Sequence, residues 1–447
     1  MSDHTVRRRR FVKAAGVAGV VGLAGCSGGG GDGGDGGGGD GGDGGDGGDG
    51  GDGGDGGDGG DGESTGDSGG DSILVGTLAP FSQGLGWVGP NAARGRDVAL
   101  ADIEEAGGVL GRSIEINEQD TETTPQAAIS GFNTLDSAGV VAMLGPSSTV
   151  IPNLFQPVAD AQLPMLSVSA GTTQLDDVGG PDDYLWRTVP SDAIAGRAQG
   201  QYALDNDFTQ MAVVYKDDKG SQSFSTAVAD YFTGQGGEQV ADVALAINSD
   251  SYRSEIQEIA DSGADVISMT AGTEVSALFM RNYIEAGLDI PIFIGNDVIT
   301  ADFVERIGAD VMAENPIFGQ APAPGPSYDQ FQQAHQDMHG QAPGTFGAAG
   351  YDAMNLIALA AQRAGEATRQ AITDNINPVA RPEGTEVTSF SEGKEELEAG
   401  NEINYQGASN PQDFDEDGDP VGPFSVLEVS DGAWTEVTTF SAEDLTS

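Results

Sequence analysis

The feature that most constrains the fold is an alternation of short apolar runs with segments of helical periodicity, which begins at Ser72. Runs such as 73–78 and 140–144 have strand length and are rich in aliphatic residues, whereas 91–106 repeats apolar residues at helical spacing. A second block of the same alternation extends over 211–294. Strands that alternate with helices of this length form βαβ units and parallel sheets. The sequence therefore predicts an α/β protein with two Rossmann-like lobes.

The pattern changes at Ala321-Pro322-Ala323-Pro324. A long helix over 351–364, an acidic irregular stretch and two last strands near 424–427 and 434–438 are predicted to follow. A tail of this kind can return to both lobes and complete a three-stranded hinge. The predicted boundaries are 72–190 and 320–423 for lobe 1, and 191–319 and 424–447 for lobe 2.

The first 26 residues have the order of parts of a twin-arginine lipoprotein signal. Arg8-Arg9-Arg10-Phe11-Val12-Lys13 precedes an apolar run over 14–25, and Cys26, the only cysteine, follows Leu-Ala-Gly. The run is about half the length that spans a bilayer. We expect the Tat machinery to export the folded protein, and a lipid on Cys26 to anchor it to the extracellular face of the membrane. The alternative is a cytoplasmic protein with a basic start and an unrelated cysteine.

The segment 27–71 is almost entirely glycine and aspartate. It lacks the apolar surface that would offset the entropy of ordering, so we expect it to stay disordered. Glycine gives flexibility and like-charge repulsion gives extension, which together predict a long tether.

The composition is strongly acidic, with a net charge of −52 and only four lysines, at positions 13, 216, 219 and 394. Such a surface suits concentrated salt, which screens self-repulsion, and it argues against binding to nucleic acid. A single cysteine excludes an internal disulfide. The sequence indicates neither a cofactor nor a metal centre.

An ordered set of motifs spans the region from Ile73 to Val437, and with it the chain resembles the type I periplasmic binding proteins. The resemblance is greatest to the leucine/isoleucine/valine-binding group, which feeds ABC importers. It implies two α/β lobes that close on a solute about a hinge, with no chemistry on the solute. The motifs are Pro80 to Gly89, Asn91 to Gly95, Asp102 to Gly111, Asp120 to Pro125, Leu144 to Thr149, Leu166 to Thr172, Trp186 to Asp192 and Phe414 to Asp419.

Two loops that follow predicted strands are candidates for the ligand carboxylate. Taken alone, Ser147 and Ser148 fit an ordinary helix N-cap as well as a carboxylate cradle. The resemblance implies the cradle, and it makes Ser169, Ala170 and Thr172 the second contact with the same ligand.

The predicted contacts of lobe 2 include acids for a ligand ammonium. The resemblance places Asp297 there, although an Asx turn is an equal alternative; Glu274 is a second candidate. Many members carry an aromatic residue where this chain has Lys219, and that lysine could instead bind a second acidic group. Trp87 is a candidate side-chain contact or a packed aromatic at the lobe edge.

The predicted function is that of a lipid-anchored solute-binding protein that delivers an amino acid, first of all a branched-chain one, to an ABC permease. An amide, urea or short-chain carboxylate is the alternative solute. A ligand-sensing ectodomain is the alternative class, and the lack of a visible output domain or membrane-spanning helix favours the importer.

Three further motifs point to other functions but are incomplete. Residues 84–89 fit G-x-G-x-x-G, yet they do not follow the strand directly, as a dinucleotide site requires. The aspartates at 413–417 resemble half of a calcium loop without its final glutamate. His335 and His339 lie on a polar segment and are predicted to be exposed, and no nucleophile–base pair is visible.

Overall fold

The computed structural model describes residues 72–415 and 417–446. The predicted signal, Cys26 and the Gly/Asp segment lie outside these residues. The strands are β1 Ile73–Ala79, β2 Ile114–Asp120, β3 Ala142–Ser147, β4 Met165–Ser169, β5 Leu185–Arg187, β6 Gln210–Lys216, β7 Glu238–Leu245, β8 Val266–Thr270, β9 Ile292–Ile294, β10 Ile317–Pro322, β11 Thr385–Val387, β12 Ile403–Tyr405, β13 Phe424–Ser430 and β14 Ala433–Phe440. The helices are α1 Val88–Glu105, α2 Pro125–Ala138, α3 Phe155–Ala161, α4 Gly180–Asp183, α5 Asp192–Asp205, α6 Lys219–Gly234, α7 Arg253–Ser262, α8 Thr273–Ala286, α9 Ala301–Ile307, α10 Ala309–Glu314, α11 Tyr328–His339, α12 Gly347–Ala364, α13 Arg369–Ile376, α14 Phe390–Glu398 and α15 Ala442–Thr446.

The first sheet contains β1 to β5 in the order β2-β1-β3-β4-β5, and its pairs are parallel. Its central strands read as continuous apolar runs because helices cover both faces. Alternate residues of β1 enter two different cores, Ile73 and Val75 on one face and Leu78 on the other. The order reverses between β1 and β3, which opens a crevice at the carboxyl ends of these strands.

The second sheet has the order β14-β13-β10-β9-β8-β6-β7. Strands β6 to β10 are parallel and repeat the order of the first sheet, whereas β13 and β14 add an antiparallel hairpin beside β10. The fold is thus α/β with parallel sheets in two lobes, as predicted.

Helix α12 fills the core of lobe 1 and crosses α1 at very short range. A Cβ atom on Gly95 would lie 1.8 Å from the Gly347 carbonyl oxygen, and one on Gly350 would lie 2.2 Å from the Ala92 carbonyl oxygen. Only glycine at both positions allows the two backbones to approach so closely. This contact holds the later part of the chain against the first sheet.

The chain passes between the two sheets three times, through residues 188–191, 323–327 and 417–423. The second and third passages are joined by a hydrogen bond from the Ala323 amide to the Pro423 carbonyl, of 2.9 Å. Adjacent crossings of this kind are suited to hinge bending, because few backbone angles need to change.

Two expectations about the second half of the chain were wrong. The stretch after α12 is not irregular: it forms α13, β11, α14 and β12, and the side chains of Thr368 and Ser389 cap the two helices. His335 is fully buried rather than exposed, because its ring packs against Phe331 on the apolar side of α11. Over the residues that the structure describes, no helix is long and apolar enough to cross a membrane.

Candidate functional site

The candidate site begins where β3 and β4 end side by side in lobe 1. Ser147 is the last residue of β3, and Ser169 is the last residue of β4 and pairs with it in the sheet. The two loops that follow are joined, since the Thr172 amide donates to Ser148 Oγ over 3.3 Å. The sequence-predicted serine and threonine residues of lobe 1 therefore lie together at one edge of the sheet.

Two of these hydroxyl groups are buried without a hydrogen-bond partner. Ser147 Oγ and Ser169 Oγ make no contact with another polar group in the described residues, although the two residues are only 3% and 9% exposed. A buried polar group in this condition costs free energy, and a bound ligand removes the cost. Ala170 is placed differently: its amide donates to Ser167 Oγ over 3.0 Å and its side chain packs in the core.

Lobe 2 touches these loops through the first turns of α6. Ser223 Oγ accepts a hydrogen bond from the Thr173 amide over 3.3 Å and lies 3.5 Å from Thr172 Oγ1. A Cβ atom on Gly220 would lie 3.7 Å from the Ser148 Cβ. The lobes are therefore in contact around the site, in a closed arrangement.

Asp192, the first residue of α5, is a site residue that the sequence analysis did not select. Its amide donates to the Gly171 carbonyl over 2.7 Å, and its Oδ2 is buried without a partner. The pKa of Asp192 is raised to about 7, chiefly by burial, with a smaller contribution from the Asp297 carboxylate, while a hydrogen bond from Ser223 opposes the shift. Asp192 thus presents a carboxyl group beside the loop of Gly171.

Asp297 lies in the turn Asn296–Val298 that follows β9. It is partly buried. Burial raises the pKa of its carboxyl group, and the positive charge of Lys216 opposes the rise. The Asp297 carboxylate is among the charges that raise the pKa of Asp192. Their role toward a ligand stays a prediction.

The lysine that approaches this space is Lys216, whereas Lys219 points to solvent. Lys219 is the exposed first residue of α6, because Asp218 caps the helix by accepting from the Ser221 amide over 2.9 Å. Lys216 ends β6, and its side chain is 16% exposed, with Nζ 2.7 Å from Asp218 Oδ2. The structure therefore does not bring Lys219 to the site.

Glu274 also lies outside the site. Its side chain is 80% exposed and forms an ion pair with both terminal nitrogens of Arg306, at 2.6 and 2.7 Å. The hydrogen bond from Arg306 lowers the pKa of Glu274. Trp87 lies at the surface of lobe 1, where its ring stacks on Phe346 at a centroid distance of 5.8 Å.

A fully buried arginine supports the loop of Gly171 and Thr172. Arg187, the last residue of β5, donates to the carbonyl oxygens of Gly171 and Thr172 over 3.1 and 3.0 Å. It also pairs with Asp176 at 2.5 Å and with both carboxylate oxygens of Asp419, in the third crossing. One guanidinium group thus connects the loop, the end of the sheet and the hinge.

The region that resembles half of a calcium loop is a closed turn in which Asp415 Oδ1 accepts from the amides of Asp417 and Asp419, each over 3.0 Å. Among residues 72–415 and 417–446 no group of three or more His, Cys, Asp or Glu side chains is arranged to hold a metal ion.

Two α/β lobes, three crossings and a polar cleft define a two-lobed solute-binding protein. Over residues 72–433 the chain matches the model of the periplasmic binding protein family, and it belongs to that family, with the type I fold. Membership of this family makes it a binding protein and not an enzyme.

Three similar proteins illustrate the relationship. The chemotactic signal transduction system substrate-binding protein BasB of Halobacterium salinarum is 26% identical over 401 residues, which are 81% of this chain and 88% of that protein. Leucine-binding protein LivK of Thermotoga maritima has a TM-score of 0.68 and 20% identity, over 83% of this chain and 99% of that one. LivJ of Streptococcus pneumoniae, in complex with isoleucine, has a TM-score of 0.65 and 20% identity, over 82% and 99%.

Proposed function

We propose that this protein binds a free α-amino acid between its lobes and delivers it to an ABC permease. The observation that carries the proposal is the pair of unpartnered buried hydroxyls, Ser147 and Ser169, beside the unpartnered Asp192 carboxyl oxygen. The hydroxyls suit a ligand carboxylate, and Asp192 with Asp297 suits its ammonium. Both main-chain groups of an amino acid therefore have complementary partners.

The side chain of the solute is a separate question. A branched-chain amino acid is the version that agrees with the names of LivK and LivJ, which are described as leucine-binding and as bound to isoleucine. The contacts to the carboxylate and the ammonium do not depend on that choice.

The N-terminal segment supports an anchored form of this function. We propose that Cys26 carries the lipid after twin-arginine export and that 27–71 tethers the lobes to the membrane, so that they can reach the permease. A Cys26→Ala variant, expressed in cells that export by the Tat route, should move from the membrane fraction to the medium. Retention in the membrane fraction would contradict the lipid anchor.

A second candidate function is favoured by the similarity to BasB, which is named for chemotactic signal transduction. In that version the closed lobes present the solute to a membrane-bound transducer instead of a permease. Deletion of the gene separates the two: loss of labelled solute uptake supports import, and loss of chemotaxis with normal uptake supports sensing.

Calorimetry in molar KCl with the twenty amino acids, simple amides, urea and short carboxylates tests the proposed solute class. We expect at least one amino acid to bind, and its affinity to fall about tenfold or more in Asp297→Asn, because a charged acceptor for the ammonium is lost. Glu274→Gln, which changes an exposed acid of the same lobe, should bind normally. Silence across all twenty amino acids would reject the amino-acid function.

A further inference from the structure

One loop of lobe 1, residues 407–412, contacts two of the crossings between the lobes and leads into the third. Ser409 Oγ lies 3.0 Å from the carbonyl oxygen of Thr188, the first residue of the first crossing. In the second crossing, the Gly325 amide donates to the Ala408 carbonyl over 3.0 Å. We call 407–412 the hinge loop, because its position determines where these crossings leave lobe 1.

The hinge loop is fixed to α12 by the carboxyl group of Asp352, which is fully buried. Asp352 Oδ1 accepts from the Ala408 amide over 2.8 Å and from the Tyr405 hydroxyl over 2.9 Å. Asp352 Oδ2 accepts from the amide and from the hydroxyl of Ser409, over 2.8 and 2.5 Å. A buried acid therefore connects the core helix of lobe 1 with the hinge loop.

The Ser409 hydroxyl has two acceptors within reach but only one hydrogen to donate. An ionised carboxylate is a stronger acceptor than a carbonyl, so ionised Asp352 takes this hydrogen. The Thr188 carbonyl then keeps only the side-chain amide of Asn410, over 3.3 Å. The strength of the contact between the hinge loop and the first crossing thus depends on the charge of Asp352.

We propose that Asp352, Ser409 and Thr188 form a proton-controlled latch on the first crossing. When Asp352 Oδ2 takes up a proton from solvent, its new O–H group donates to Ser409 Oγ, and the Ser409 hydroxyl turns to donate to the Thr188 carbonyl. When the proton leaves, the Ser409 hydroxyl returns to the carboxylate and the contact to Thr188 is lost. No other covalent bond changes in this cycle.

The latch distance of 3.0 Å between Ser409 Oγ and the Thr188 carbonyl belongs to the closed arrangement of the lobes. A hydrogen bond that is made in one arrangement shifts the equilibrium toward it by its net free energy. For one hydrogen bond this is about three- to tenfold in the ratio of closed to open lobes. Protonation of Asp352 therefore favours closure.

The latch changes state at moderately acidic pH. Burial raises the pKa of Asp352 to about 6, and the hydrogen bonds that it accepts oppose the rise. The hinge loop and the crossings 188–191 and 323–327 contain no titratable side chain. Nothing in these three segments can therefore titrate in place of Asp352.

The titratable groups that face Asp352 from the helices and strands are two tyrosines, Tyr405 of β12 and Tyr351 of α12. Burial raises the pKa of both phenol groups, so both stay neutral while Asp352 titrates. The carboxylates of Asp102 in α1 and Glu392 in α14 act on Tyr351. Asp352 is thus the group of this cluster that changes charge near pH 6.

The ratio of closed to open lobes in the ligand-free protein measures the latch. Spin labels at exposed positions, Gln126→Cys in lobe 1 and Asp250→Cys in lobe 2, report the distance between the lobes in a Cys26→Ala chain. Asp192→Asn and Asp297→Asn complete this parent protein, because burial raises the pKa of both acids. We expect the ratio in molar KCl to be about three- to tenfold higher at pH 5 than at pH 8.

Variants of the parent protein identify the latch as the cause. Ser409→Ala removes the hydroxyl and keeps the amide that Asp352 accepts, so the pH effect should be lost. Ser254→Ala, at an exposed serine of α7, is the matched control and should keep the full effect. Asp352→Asn removes the titrating group and should also abolish the effect, which tests the latch if Ser409→Ala does not fold. The same pH effect in Ser409→Ala as in the parent, or no effect in the parent, would overturn the latch. Because no solute is added, either result leaves the proposed amino-acid function intact.

Discussion

At the residue scale, the surroundings of Asp192 strongly change the pKa of its carboxyl group. Its Oδ2 is buried without a partner, and its neighbours include the carboxyl groups of Asp176 and Asp297. Burial raises the pKa of Asp192 to about 7, so its ionisation changes within the ordinary working range of pH. A ligand ammonium favours the ionised form, whereas the empty closed cleft favours the protonated form.

The affinity for an amino acid should therefore fall as the pH decreases through about 7. Below that value a proton must leave Asp192 before the ammonium can bind, so the dissociation constant should rise by about tenfold per pH unit. Calorimetry at pH 6, 7 and 8, in two buffers of different ionisation enthalpy, measures both the affinity and the proton released. Binding that is independent of pH would contradict this role of Asp192.

Asp192→Asn is the control for this prediction. It should bind more weakly at pH 8, because the charged acceptor is absent, and its affinity should no longer change over the same range of pH. A pH dependence that persists in Asp192→Asn would assign the titration to another group, such as Asp297, whose pKa is also raised by burial.

The sequence could predict individual site residues only where a strong pattern fixed their position in the fold. Ser147 and Ser148 follow a continuous apolar run, and strand ends in a parallel sheet share one edge. Asp192 was visible as part of a motif, but its spacing reads equally as the first turn of a helix. Its electrostatic interaction with Asp297, more than a hundred positions later, depends on how α5 packs against the second sheet, and no local pattern encodes that.

At the element scale, Arg187 couples β5, the loop after β4 and the third crossing. Its side chain is fully buried, and its two carboxylate partners, Asp176 and Asp419, are only partly accessible. Asp176 also accepts from Ser191 Oγ, which caps α5 directly before Asp192. The loop proposed to contact the solute and the helix that carries Asp192 therefore share one support.

Arg187→Met should lower the free energy of unfolding by about 3–5 kcal/mol, because it leaves buried carboxylates and carbonyls without their cation. Denaturant unfolding in molar KCl measures the change. The matched control is Arg253→Met, at an exposed ion pair with Glu285 whose side chains are 71% and 54% accessible. The control should change stability by less than about 1 kcal/mol. Equal effects of the two variants would refute the proposed support.

Elements with a strong apolar period were predicted well, and polar or very short ones were not. The buried strands and α12 stand out because one face or both faces are apolar. The first turn of α6 contains Lys219-Gly220-Ser221-Gln222-Ser223, which has no apolar period, so apolar spacing alone indicates a helix only from Phe224 onward. Asp218 is a typical N-cap residue, and this indicates that the helix begins at Lys219. With that start, Lys219 lies in the exposed first turn of the helix and not in the site.

At the scale of the whole molecule, the net negative charge opposes the burial of acidic groups in a closed cleft. A net charge of −52 opposes compaction unless salt screens it. Burial nevertheless raises the pKa of both Asp192 and Asp297, so a ligand ammonium beside these acids would favour the closed cleft. An ordered set of weak motifs was enough to predict the family and the two lobes. The electrostatic interactions within the cleft could be identified only from the three-dimensional contacts.

Ser223 makes direct contacts between the lobes in the closed arrangement. Its hydroxyl accepts from the Thr173 amide over 3.3 Å and lies 3.5 Å from Thr172 Oγ1. Ser223→Ala removes these contacts from the closed state, together with the hydrogen bond from Ser223 to Asp192, so affinity should fall by about three- to tenfold. Calorimetry gives the affinity, and small-angle scattering with and without ligand gives the closure. Thr226→Ala, an exposed change on the same helix, should leave both unchanged. If Ser223→Ala binds and closes like the unmodified protein, the contacts to the Thr172–Thr173 loop do not contribute to closure, and the acids of the cleft must drive it alone.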